Sequence, residues 1–172
     1  MALKDDLLVQ ARYLALVDTG KPKQANLRRA ISAAYYALFH LLVEDGASAL
    51  GSKLSNLGKS RVRRAFAHAE MKMVCSQYAK GHASTSMQPQ IAMLLTFPIH
   101  PDLRMVASIF LHLQEARHLA DYDISCKFSR MSTIAVIDKA VLAFKLWKAV
   151  KATAHAQVFL VDLVLRKSWS RV

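Results

Sequence analysis

Apolar residues in this chain recur every three or four positions over stretches far longer than a β-strand, and that spacing restricts the fold to packed helices. Leu27, Ile31, Ala34, Leu38 and Leu41 form one such stripe, and Leu103, Val106, Phe110, Leu113 and Ala120 form another. Each stripe is one side of an α-helix and needs a neighbour to cover it. Only five Gly and four Pro stand among 172 residues, too few for the tight turns of an all-β fold. Hydrophobic residues make up 53% of the chain, enough apolar surface to offset the entropy of ordering and to exclude a disordered chain. The expectation is an all-α fold, an up-and-down helical bundle, with residues 1–172 forming a single domain.

Element by element, a first helix begins near Leu3 and ends at Asp18-Thr19-Gly20-Lys21-Pro22. A second helix spans about 25 to 43, and a Gly-, Ser- and Asn-rich loop is expected over 45–59. Ser60 is then the expected N-cap of one helix to about Lys80, buried through Val62, Phe66, Ala69 and Met73. Residues 81–101 are the least regular, and a fourth helix runs from about Asp102 to Tyr122. A last helical region begins after Ser132. Its two stripes are Ile134, Ile137, Val141 and Phe144, then Val150, Ala154, Val158, Val161 and Leu165. The stripes are out of phase, which predicts a break between Lys148 and His155. Met71, Met73, Met87, Met93, Met105 and Met131 read as core filler.

A membrane span needs about 20 mostly apolar residues. The best stretch, Ala140 to Leu165, is interrupted by Lys145, Lys148, Lys151, His155 and Asp162. No membrane partner is expected, and Cys75 and Cys126, far apart and outside any zinc spacing, fit a reducing, cytoplasmic setting. No metal or other cofactor is expected either: Gly-rich phosphate loops, HExxH and Cys/His metal spacings are missing. The formal net charge is +12, a balance that favours acidic partners, nucleic acid foremost.

Two polar clusters are candidates for chemistry. On the fourth helix Gln114, Arg117 and Asp121 fall on one face, with Tyr122 beside them, so that Arg117 and Asp121 are spaced for an ion pair. On the third, Arg61, Arg64 and His68 share a face, where an Arg can hold a phosphate and a His can move a proton. Arg29, Tyr36 and His40 line up on the second helix, with the two aromatic residues read as packed and hydrogen-bonded.

Two segments resemble a known family. Leu27-Arg28-Arg29-Ala30-Ile31-Ser32-Ala33-Ala34-Tyr35-Tyr36-Ala37-Leu38-Phe39-His40 is similar to an early helix of HEPN domains (higher eukaryotes and prokaryotes nucleotide-binding). Arg117-His118-Leu119-Ala120-Asp121-Tyr122-Asp123 resembles the Arg-x-x-Ala-Asp-Tyr signature that closes a later helix in one branch of that family. The likeness covers roughly residues 25–165. It implies a helical bundle, often a homodimer, that binds RNA or a nucleotide, as the toxin of a toxin–antitoxin or defence module with a small nucleotidyltransferase antitoxin as partner. Arg29, Arg61, Arg64, His68 and His118 are then the expected RNA- or nucleotide-binding residues. Ribonuclease members carry Arg-x4–6-His at the later helix end. Arg117 matches the Arg, but Tyr122 stands where a four-residue gap would place the His. Three readings stay open. The chain binds RNA or nucleotide; it is a metal-independent endoribonuclease in which Arg117, Asp121 and Tyr122, or Arg61 and His68 on the earlier helix, replace the usual pair; or it is a non-catalytic structural or scaffolding dimer.

Overall fold

The computed structural model describes residues 2–51 and 53–169, and among them the chain forms eight helices and no strand. They are α1 (Leu3–Leu16), α2 (Gln24–Leu50), α3 (Asn56–Ala65), α4 (His68–Lys80), α5 (Pro89–Ala92), α6 (Pro101–Tyr122), α7 (Arg130–Val150) and α8 (Ala154–Trp169). The fold class is all-α, as the periodicity requires. The described residues form two compact units, one from 2–41 and 109–145, the other from 42–51, 53–108 and 146–169. Neither unit is one continuous stretch, because α2, α6 and α7 each run from one into the other.

In the first unit Leu27, Ile31, Ala34 and Leu38 of α2 are fully buried, along with Phe110 and Leu113 of α6 and Ala140 and Ala143 of α7. Each large apolar side chain so buried contributes roughly 1.5–3 kcal/mol of transfer free energy. The small residues Ala30, Ala33, Ala34 and Ala37 are buried too. The turn after α1 is tied by Asp18, whose carboxylate accepts from the Lys23 N–H and the Asn26 amide, both at 2.9 Å. Those two bonds hold the Asp18 carboxyl below its usual range. Arg130 adds donors to the carbonyls of Ala15, Asp18 and Gly20.

The second unit buries Met71, Val74, Cys75 and Tyr78 of α4 against Phe159, Leu160 and Leu163 of α8, and the Tyr78 and Phe159 rings meet edge to face at 4.8 Å. Trp147, fully buried on α7, donates its indole N–H to Asp45 Oδ2 at 2.8 Å.

Several expected boundaries move, and one glycine and one aromatic residue explain the largest shift. α2 does not stop at residue 43 but continues through Asp45 and Gly46 to Leu50. A side chain at Gly46 would stand 2.5 Å from the Phe66 ring. Gly46 therefore marks a close approach within a helix and not a loop. Phe66 in turn leaves helical geometry, with φ −72° and ψ 121°, and its side chain is buried. The helix expected over 60–80 is thus two, α3 and α4, and its N-cap is Ser55 rather than Ser60, with Ser55 Oγ accepting from the Gly58 N–H. Beyond the break the buried face is Met71, Val74, Cys75 and Tyr78, while Met73 is exposed and Ala69 is outside the core.

α8 shows a similar change of phase: Ala156, Phe159, Leu160 and Leu163 are buried, and Leu165 is exposed. On α7 Ile137 is buried as expected but Val141 is exposed. The break between these two helices falls at 151–153, inside the expected interval. Of the methionines read as filler, Met71 and Met87 are buried, whereas Met73, Met93, Met105 and Met131 are exposed.

Candidate functional site

α6 ends at Tyr122, within the segment Arg117 to Asp123, and leaves backbone carbonyls without helical partners. No basic residue stands in its last turn, so the cap must come from elsewhere in the chain. Arg28 of α2 supplies it. Its Nη1 donates to the Ala120 carbonyl at 2.7 Å, and its Nη2 to those of Asp123 at 2.9 Å and Cys126 at 2.6 Å. The same guanidinium stacks over the Phe128 ring, 5.5 Å from its centroid. Asp123 shapes the following turn by accepting from the Ser125 Oγ and N–H, bonds that lower its carboxyl's pKa. Arg28 is not among the residues expected at the site, whereas its neighbour Arg29 is. The absent last-turn cation on α6 was the available signal.

One turn back, Arg117 and Asp121 form the expected pair. Arg117 Nε lies 2.6 Å from Asp121 Oδ2, an ion pair without hydrogen-bond alignment, and each side chain is 22% exposed. Arg117 Nη2 donates to the Tyr36 hydroxyl at 3.0 Å, and Ser32 Oγ donates to Asp121 Oδ1 at 2.5 Å. The rings of Tyr35, Tyr36 and Tyr122 lie 6.0, 5.5 and 5.4 Å from the Arg117 guanidinium carbon. Burial disfavours the charge on Arg117, but Tyr36, Asp121 and Tyr122 outweigh it and hold the guanidinium protonated more firmly than usual. Both ends of this pair are thus occupied by the protein itself.

Arg29 is different. It is exposed, and its side chain makes no hydrogen bond or ion pair among the described residues. It lines a groove of 400 Å³ together with Ala25, Arg28, Ala120, Asp121 and Tyr122. It also lines a second groove of 430 Å³ that includes Gln10, Ser32 and Tyr36. Tyr122 is 64% exposed, and its ring centroid lies 5.2 Å from that of His118. An unengaged guanidinium fork beside an exposed aromatic pair can hold a phosphate and stack a base.

The structure therefore brings Arg29, Arg117, His118, Asp121 and Tyr122 into the first unit and separates the other expected set. Arg61 and Arg64 lie on α3 and His68 opens α4, so the break at Phe66 prevents the three from sharing one helical face. Among the described residues no three His, Cys, Asp or Glu side chains gather to hold a metal ion, and no helix is long and apolar enough to cross a membrane. No protein-family model, curated protein or solved structure matches this chain.

Proposed function

We propose that this protein binds RNA or a nucleotide at the groove between Arg29 and Tyr122, in the manner the HEPN resemblance implies. The observation that carries the reading is the free Arg29 guanidinium in the same groove as the exposed Tyr122 ring. Arg29 contacts phosphate, Tyr122 and His118 offer a stacking surface, and the Arg117–Asp121 pair fixes the groove wall. The net charge of +12 adds attraction for a polyanion. Within this reading the chain is the toxin component of a two-component or defence module, acting as a homodimer with a nucleotidyltransferase antitoxin as partner.

Binding is favoured over cleavage because Asp121 is already engaged at Oδ1 by Ser32 and at Oδ2 by Arg117. A carboxylate whose two oxygens both face protein partners is poorly placed to reach a substrate hydroxyl.

A labelled single-stranded RNA oligonucleotide, followed by fluorescence anisotropy without metal, tests this directly. The wild type binds and leaves the RNA intact on a denaturing gel. Arg29→Ala and Tyr122→Ala each weaken binding about tenfold, the order expected for a lost charged hydrogen bond or a lost stacking partner. Wild-type affinity in both variants overturns the reading, and RNA fragments that disappear in Arg117→Ala replace it with an endoribonuclease.

A further inference from the structure

The chain between Asp45 and Glu70 contains no acidic residue, yet it carries Lys53, Lys59, Arg61, Arg63 and Arg64. Four of these five cations fall on the ten residues of α3. None of the five makes an ion pair or a side-chain hydrogen bond among the described residues. Lys59 and Arg63 stand at i,i+4 and Arg61 and Arg64 at i,i+3, spacings at which like charges destabilise a helix. Nor does core packing compensate, because no residue of α3 is buried. A helix this short is marginal on its own, so it keeps an uncompensated electrostatic cost that an anionic partner would relieve.

The apolar residues beside those cations indicate what kind of anion. Leu57 is 70% exposed and Leu54 47% exposed. Leu57, Arg61 and Arg64 recur at i, i+4 and i+7, and with Ser60 they line one groove of 370 Å³. Phosphates of a free polyanion recruit cations but have no use for exposed leucines. An anionic bilayer surface uses both: cations meet the headgroups while leucines enter the acyl boundary.

We infer that α3, with Leu54 and Lys53 before it, is a docking element for an anionic membrane surface. A helix lying in the interface needs no spanning segment, so the lack of one does not oppose this docking. This inference stands apart from the RNA-binding reading and shares no residue with the groove between Arg29 and Tyr122.

Vesicle co-sedimentation of the full chain tests it, with phosphatidylcholine vesicles set against vesicles containing a third phosphatidylserine. The expected result is binding to the second kind alone, weakening as salt rises. Arg61→Gln and Arg64→Gln each lower the partition about fivefold, and Leu57→Ser lowers it by a similar factor. All three positions are exposed, and an unchanged circular dichroism melt confirms that each variant folds. Three results overturn the inference: no binding to either vesicle, binding that Leu57→Ser leaves unchanged, or heparin retention that needs Arg61 and Arg64 without any vesicle binding. The last would give α3 to a soluble polyanion such as RNA.

Discussion

Two aspartates on helices of this protein show opposite ways of placing a carboxylate. Asp121, in the first unit, keeps its side chain 22% exposed and has Ser32 at one oxygen and Arg117 at the other. Asp162, in the second, is fully buried on α8, and neither oxygen has a hydrogen-bond partner. Burial pushes its carboxyl up to about 6, with Arg166 one turn on pulling partly the other way. Cys75 and Tyr78 face the same problem: burial first, and then the Asp162 charge, raise both groups above their ordinary values. The same residue type thus strengthens one site and weakens another. What decides between them is whether donors reach the oxygens, because a buried charge without partners costs far more than an exposed pair contributes.

The largest effect expected from this contrast is at Asp162. Its folded carboxyl titrates near 6 against an ordinary 3.8, so between those values the folded state holds more protons than the unfolded one. Stability is then full below about pH 4, falls as pH rises through 6, and stays low above it, a loss of up to about 3 kcal/mol. Asp162→Asn removes the charge and with it this loss. Denaturant melts at pH 4 and pH 8 should show the variant gaining on the wild type only at pH 8. Parallel behaviour at both pH values would mean that Asp162 has partners.

Next in size is Arg28→Ala, which strips the carbonyls of Ala120, Asp123 and Cys126 of their donor. A loss of about 2 kcal/mol is expected, or a Tm lower by roughly 6 °C for a chain of this length. Arg28→Lys should recover less than half of it, since an ammonium cannot fork across several carbonyls. Full recovery with Lys would show that only the charge at the helix end matters.

The smallest effect belongs to Asp121→Asn. A partly exposed pair contributes about 1 kcal/mol, and Ser32 and Tyr36 remain to hold their neighbours, so Tm should fall by only about 3 °C. A loss exceeding that of Arg28→Ala would reverse the ranking and make the pair the principal brace of the α6 end.

Much of this is legible in the sequence, and what differs from the expectation shares a cause. The α2 and α6 stripes are plain in the sequence because Leu27, Ile31, Phe110 and Leu113 repeat in phase without a conflicting signal. The Arg117–Asp121 pair followed from helical spacing alone. Gly46 misled because a glycine inside a helix looks like a boundary when the ring it accommodates, that of Phe66, is 20 positions away. Phe66 misled in the complementary sense, since no Gly or Pro marks the break it makes. Arg28 was missed because its partners are backbone carbonyls, which carry no sequence signal, and those carbonyls lie more than 90 residues along the chain. Asp162 looked like an interruption of an apolar run, and only packing shows that it is inside one.

The contrast between the two units extends to their arginines, and there the functional account can be tested most directly. Arg29 and Arg61 are both exposed and both without partners among the described residues, but only Arg29 shares a groove with Tyr122. RNA affinity should be measured against salt concentration for the wild type, Arg29→Ala and Arg61→Ala. Loss of one phosphate contact lowers the slope of log affinity against log salt by about one. The predicted result is that reduction in Arg29→Ala and an unchanged slope in Arg61→Ala. A slope that falls in Arg61→Ala and holds in Arg29→Ala would contradict the account and move the RNA site to α3.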